Sequence, residues 1–112
     1  MTLLRAACVQ MRSGTEVAGN ISAATALVRQ AAAAGATLIA TPEMTNLLDI
    51  RPGMARPKIV KQDDDATLAA FRALADELDV WLLLGSIAVT LEGDDRFANR
   101  SFLIGPDGKV VA

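Results

Sequence analysis

The chain contains no histidine. That absence removes Ser–His and Cys–His nucleophilic pairs, histidine metal sites and the usual general base near neutral pH. Catalysis would fall to carboxylates, lysines or a thiol. Cysteine is almost missing as well. Cys8 stands alone, so no intramolecular disulfide can form, and a reducing, cytoplasmic setting is expected. No apolar run approaches the ~20 residues that a membrane-spanning helix needs. The first ten residues carry one arginine and no long apolar core, so no signal peptide is expected. Charge of one sign is lacking too: 11 basic against 13 acidic residues leave a net charge of −2. This balance exerts no pull toward nucleic acid or an anionic membrane, and neither is expected as a partner. Among the few aromatics, Trp81 and Phe97 are not interleaved with a basic patch and are expected in the core.

What is abundant is apolar side chain, 52% of the 112 residues. A chain this short has much surface for its volume, so the excess predicts a face that awaits another layer. Leu3–Gln10 reads as a buried strand, with Cys8 as a small buried hydrophobe inside it. A polar turn, Arg12–Thr15, leads into a helix over Glu16–Ala34, whose Val17, Ile21, Ala24, Val28 and Ala31 line one face. Gly35 stands where a left-handed cap is wanted, and Thr37–Ala40 is a second short strand. Strand, helix, strand predicts a parallel pair joined by a crossover.

Pro42 ends that strand and biases Thr41 toward an extended backbone. Glu43 is then the first acid beyond the strand's C-terminal end, the edge where open α/β sheets bind ligands. Met44–Lys61 has no period and is broken by Pro52, Gly53 and Pro57, the pattern of a functional loop. Its Arg51, Arg56, Lys58 and Lys61 could hold a substrate carboxylate, although a solvated loop face is the simpler expectation. Asn46 is expected to make local turn bonds near Glu43. Asp63-Asp64-Asp65 reads as the start of a second helix, one of them capping it, and no metal site is expected there. Leu68, Phe71, Leu74, Ala75 and Leu78 form that helix's stripe. Val80–Leu84 reads as a strand buried on both faces, Gly85-Ser86 as a bend, Ile87–Leu91 and Phe97–Ile104 as further strands, and Gly105-Pro106-Asp107-Gly108 as a hairpin turn. No Gly-x-Gly-x-x-Gly or Gly-Lys-Ser/Thr loop follows the first strand, which disfavours a nucleotide-binding domain.

Four segments stand in order: Val9-Gln10-Met11; Ala32–Ala36 with Leu38–Met44; Trp81–Ser86; and Asn99–Ile104 with Gly105–Lys109. Together they resemble the nitrilase superfamily of carbon–nitrogen hydrolases. The Asn-Arg-Ser and Pro-Glu-Met-x-Asn forms look most like the branch that includes omega-amidase and deaminated-glutathione amidase. The resemblance implies an α/β fold, the N-terminal half of a four-layer α-β-β-α sandwich, with residues 1–112 forming an incomplete, truncated hydrolase domain. The family's catalytic set is Glu, Lys and Cys, and Glu43 matches the glutamate. The family lysine lies in a Tyr-x-Lys segment and the nucleophilic cysteine further on. Neither segment is present, and neither Lys109 nor Cys8 matches those positions. Thr41 departs from the aliphatic residue usual before Pro-Glu.

The implied chemistry is hydrolysis of a small linear amide through a thioester, with Glu43 as general base and with no cofactor or metal. The resemblance further implies a homo-oligomeric parent and an inactive, marginally stable chain of 112 residues. Asn99, Arg100 and Ser101 are expected to be structural, Arg100 paired to an acid. The alternative is a degenerate, non-catalytic module that binds a partner through its exposed sheet.

Overall fold

A computed structural model describes residues 2–112. Helix α1 spans Val17–Ala33 and helix α2 spans Ala66–Leu78. Both end in the same way. Gly35 (φ 95°) and Asp79 (φ 54°) turn left-handed, and the following residue reaches back five positions, Ala36 N–H to Ala31 O and Val80 N–H to Ala75 O. This reversal satisfies the last carbonyls and feeds each helix straight into a strand. The strands are β1 (Ala6–Cys8), β2 (Leu38–Ala40), β3 (Trp81–Leu91) and β4 (Asp94–Ile104). They form one sheet in that order, with β1, β2 and β3 parallel and β4 antiparallel to β3.

Both helices lie on one side of the sheet. Alternate strand residues, Ile39, Leu82, Leu84, Phe102 and Ile104, point at Ala24, Val28, Phe71, Leu74 and Ala75, and all are buried. Fully burying a side chain such as Phe71 or Leu82 contributes about 1.5–3 kcal/mol. An ion pair at 2.5 Å, Arg29 to Glu77, links the two helices at the surface.

The other side of the sheet carries no layer among the described residues. In register across the strands it presents Ala6, Leu38 and Trp81 in one row and Cys8, Ala40, Leu83 and Leu103 in the next. Four expectations are corrected by this geometry. Val80–Leu84 is not buried on both faces, because Trp81 is 40% and Leu83 38% exposed. Trp81 is therefore not a core residue. Cys8 is exposed rather than buried, since its β-carbon projects from the uncovered face of an edge strand. The first strand is also much shorter than Leu3–Gln10, with Leu3 and Leu4 lying exposed ahead of it.

Beyond Leu84 the hairpin β3–β4 continues past the ends of β1 and β2, with a register shift between Leu84 and Ile87. The loop after β2 takes the vacant place beside β3. Thr45 N–H donates to Ser86 O (2.9 Å). The Asn46 side chain then acts as a strand residue would: its Nδ2 donates to Ala88 O (3.0 Å) and its Oδ1 accepts from Ala88 N–H (3.1 Å). Fifteen positions on from Asn46, the loop returns to the same strand, where Lys61 bridges Thr90 and Thr90 N–H donates to Val60 O (2.9 Å). Leu47 and Ile59 pack with Ala88 beneath it. The turn Gly105–Gly108 forms as expected, closed by Gly105 N–H to Lys109 O and Gly108 N–H to Gly105 O, both 2.9 Å.

No helix of the described residues is long and apolar enough to cross a membrane.

Candidate active site

The segment that carries Glu43 is bound to β3 residue by residue. Thr41 N–H donates to Leu83 O (2.9 Å), Ser86 N–H to Pro42 O (3.2 Å), and Met44 N–H to the Ser86 hydroxyl (2.8 Å). The Thr41 hydroxyl accepts from Gly85 N–H (3.3 Å) and meets the Thr45 hydroxyl at 2.9 Å. An aliphatic residue at position 41 could not take that amide, so the Thr41 hydroxyl has a local task. Gly85 is the close-approach point. A β-carbon there would collide with Thr41 O and stand 2.5 Å from Pro42 O, both backbone atoms. Met44 then adopts a left-handed backbone (φ 54°), uncommon for a side chain of its size, which turns the chain sharply just after Glu43.

This framework leaves Glu43 exposed at the C-terminal end of β2, but not loose. Its Oε1 accepts from Asn99 Nδ2 on β4 at 3.1 Å. Glu43 also lines an open cavity of about 350 Å³ with Met11, Ser13, Pro42, Met44 and Leu48. The cavity therefore opens where β1 and β2 end, the edge at which parallel sheets hold ligands. A larger groove of about 460 Å³, lined by Asp65, Arg72 and Lys109 among others, shares none of these residues.

Three of the four loop cations are engaged within the protein, and the fourth, Lys61, is exposed and lines no part of the Glu43 cavity. Asp49, whose side chain is fully buried, accepts from Arg51 Nε (2.8 Å) and Nη2 (2.7 Å) and from Lys58 Nζ (3.2 Å). Arg51, with Lys58 behind it, holds the Asp49 carboxyl well below the usual carboxylate range. Lys58 also donates to Thr15 O (2.6 Å) and Glu16 Oε1 (3.1 Å), and so fastens the loop to the start of α1. Arg56 lies over the Phe97 ring, 5.3 Å from its centroid, and donates to Asp95 O (2.6 Å). Phe97 is thus a half-exposed stacking surface and not the core residue expected. Arg100 donates to Gln62 Oε1 (2.7 Å) rather than pairing with an acid.

Of the aspartate triplet, Asp65 is the cap: it is buried and its Oδ1 accepts from Leu68 N–H at 2.8 Å. Burial raises its carboxyl above the usual range against the pull of the Leu68 and Thr67 amides. Asn20, unforeseen in the sequence, is buried on the inner face of α1. Its amide exchanges two bonds with Gly14 (2.7 and 2.9 Å) and donates to Asn46 O (3.0 Å). The available signal was a polar residue four positions ahead of Ala24 on an apolar stripe.

The carbon–nitrogen hydrolase family model matches residues 5–112. A hydrolase of Mycobacterium tuberculosis is 31% identical over 103 residues, which are 92% of this chain and 35% of that protein. Omega-amidase of Homo sapiens is 27% identical over 114 residues, covering 100% of this chain and 39% of that protein. Among solved structures, an amidase from Nesterenkonia sp. AN1, bearing acrylamide added at its active-site cysteine, superposes with a TM-score of 0.81. The identity is 21%, over 98% of this chain and 42% of that one. Saccharomyces cerevisiae Nit3, a member of branch 10 of the nitrilase superfamily, gives a TM-score of 0.81 at 20% identity, over 97% of this chain and 42% of that one. The chain spans well under half the length of each, and the two superpositions bear on fold alone.

Proposed function

Since this chain belongs to the carbon–nitrogen hydrolase family, we propose that residues 1–112 are the N-terminal part of a single hydrolase domain whose complete polypeptide cleaves a non-peptide C–N bond of a small linear amide. On this reading Glu43 is the general base. It takes the proton of a cysteine thiol, and the sulfur bonds to the carbonyl carbon. The C–N bond then breaks, with the nitrogen leaving as ammonia on the proton Glu43 returns. Water, deprotonated by Glu43, opens the thioester to the acid and restores the thiol.

The observation that carries this reading is the position of Glu43: past the end of a parallel strand, on the wall of a cavity, its carboxylate held by Asn99. A carboxylate kept in one place spares the reaction the cost of orienting it. The acrylamide adduct at the active-site cysteine of the Nesterenkonia amidase, seen in a glutamate-to-glutamine variant, supports a thiol as the nucleophile. That thiol is not Cys8, which sits on the uncovered sheet face and lines no part of the cavity. The oxyanion-stabilising lysine is likewise not one of those here. Lys58 is committed to Asp49, Glu16 and Thr15, Lys61 pairs with Thr90 and lines no part of the cavity, and Lys109 lies beside Asp107 in the hairpin turn. We expect the 112-residue chain to be inactive alone, and the complete enzyme to be a cytoplasmic homo-oligomer.

The test is ammonia release from short-chain amides. The 112-residue chain releases none. A polypeptide that continues it with a lysine- and cysteine-bearing segment does, and Glu43→Gln lowers its kcat by about 10²–10⁴-fold. Undiminished turnover by Glu43→Gln would refute the assignment.

A further inference from the structure

We propose that the Glu43 cavity selects amides whose acyl chain is apolar and uncharged over monoamides of dicarboxylic acids. The inference deepens the reading of this cavity as the amide site and rests on it.

Apart from Glu43 and Ser13, the lining residues are Met11, Pro42, Met44 and Leu48, all with apolar side chains. Leu48, 48% exposed, adds a large aliphatic residue to that lining. Methionine suits such a wall because its unbranched, polarizable chain moulds to different alkyl groups. A substrate carboxylate would need a cation at the end of its chain, and a carboxylate removed from water without one is strongly disfavoured. Of the basic residues of this chain that could have served, Arg51 and Lys58 are engaged with Asp49, Arg56 with Asp95 and Phe97, and Arg100 with Gln62, while Lys61 is exposed and lines no part of the cavity. Arg12, between the lining residues Met11 and Ser13, is exposed and contributes nothing to the wall. Glu43 itself adds a negative charge that repels a second carboxylate.

Butyramide and succinamate make a matched pair, differing only in a terminal methyl against a terminal carboxylate. With the 112-residue chain labelled at its methionine methyls, butyramide is expected to shift the Met11 and Met44 signals saturably, leaving that of Met54 in place. Succinamate should bind at least about tenfold more weakly. Leu48→Lys should narrow or reverse that ratio, with Met11→Gln as a second polar variant should the first fail to fold, and Arg12→Gln should leave it unchanged. Equal binding, tighter succinamate, a succinamate affinity that depends on Arg12, or no shift of Met11 and Met44 with either compound overturns the proposal. Binding is read here without turnover. Butyramide selection alongside a fully active Glu43→Gln enzyme would therefore sink the acid–base assignment alone, and succinamate selection would sink only the present inference.

Discussion

Asn99 Nδ2 lies 3.1 Å from Glu43 Oε1, joining two residues 56 positions apart across the irregular step in β3. The amide can only donate there, so it favours one carboxylate orientation. Asn99→Ala should release Glu43 into several rotamers, measurable as averaged side-chain scalar couplings in the 112-residue chain. In an active polypeptide it should lower kcat by about ten- to a hundredfold with little change in KM. Unchanged couplings and kcat would show that the bond does not orient the base.

Gly85 makes a second prediction. A methyl at this position meets the carbonyls of Thr41 and Pro42, backbone atoms with no rotamer to yield. Gly85→Ala should destabilise the chain by roughly 1–3 kcal/mol or more, seen in urea unfolding. It should also shift the backbone amide signals of Thr41–Met44 more than those of α1. A neutral substitution would mean that the strand and the Glu43 segment are less closely tied.

Asp65 should respond to pH. Its carboxyl titrates higher in the folded chain, because of burial, than in the unfolded chain. The folded state thus holds the proton where the unfolded state has lost it. Stability declines as pH rises through that interval. Asn keeps an acceptor for Leu68 N–H. Asp65→Asn should therefore gain on the parent between pH 3 and pH 7. Denaturant midpoints at both values check this, and a difference independent of pH would contradict it.

Asp49 should behave in the opposite sense. Arg51 and Lys58 depress its carboxyl, so its contribution is present above the unfolded value of about 3.9 and fades as pH falls below it. Asp49→Asn should be costly at pH 7 and progressively less so in acid. The same melts measure it, and an equal loss at both ends would exclude the ion pairs as the cause.

The elements were legible because each is written locally: the stripes of α1 and α2, Gly35 at a cap, the Gly105–Gly108 turn. Glu43 was legible because Pro42 fixes where its strand ends. The faces were not. An alternating or continuous apolar strand reads alike whether its outer side meets a second layer or none, which is why Cys8, Trp81 and Leu83 were misplaced. Pairings of long sequence separation were equally hidden. Nothing near Lys58 announces Glu16, 42 residues earlier, and nothing near Asn99 announces Glu43.

The return of the Asn46–Lys61 segment to neighbouring sites on one strand, Ala88 and Thr90, makes it a closed ring standing on the sheet. Its feet are fixed by Leu47 and Ile59, while Ile50 at its crest is 89% exposed. Foreign peptide spliced between Pro52 and Met54, beyond the Arg51–Asp49 pair, would extend the ring while leaving the contacts of its feet with β3 in place. The ring is thus a natural cassette for lengthening or exchanging this loop.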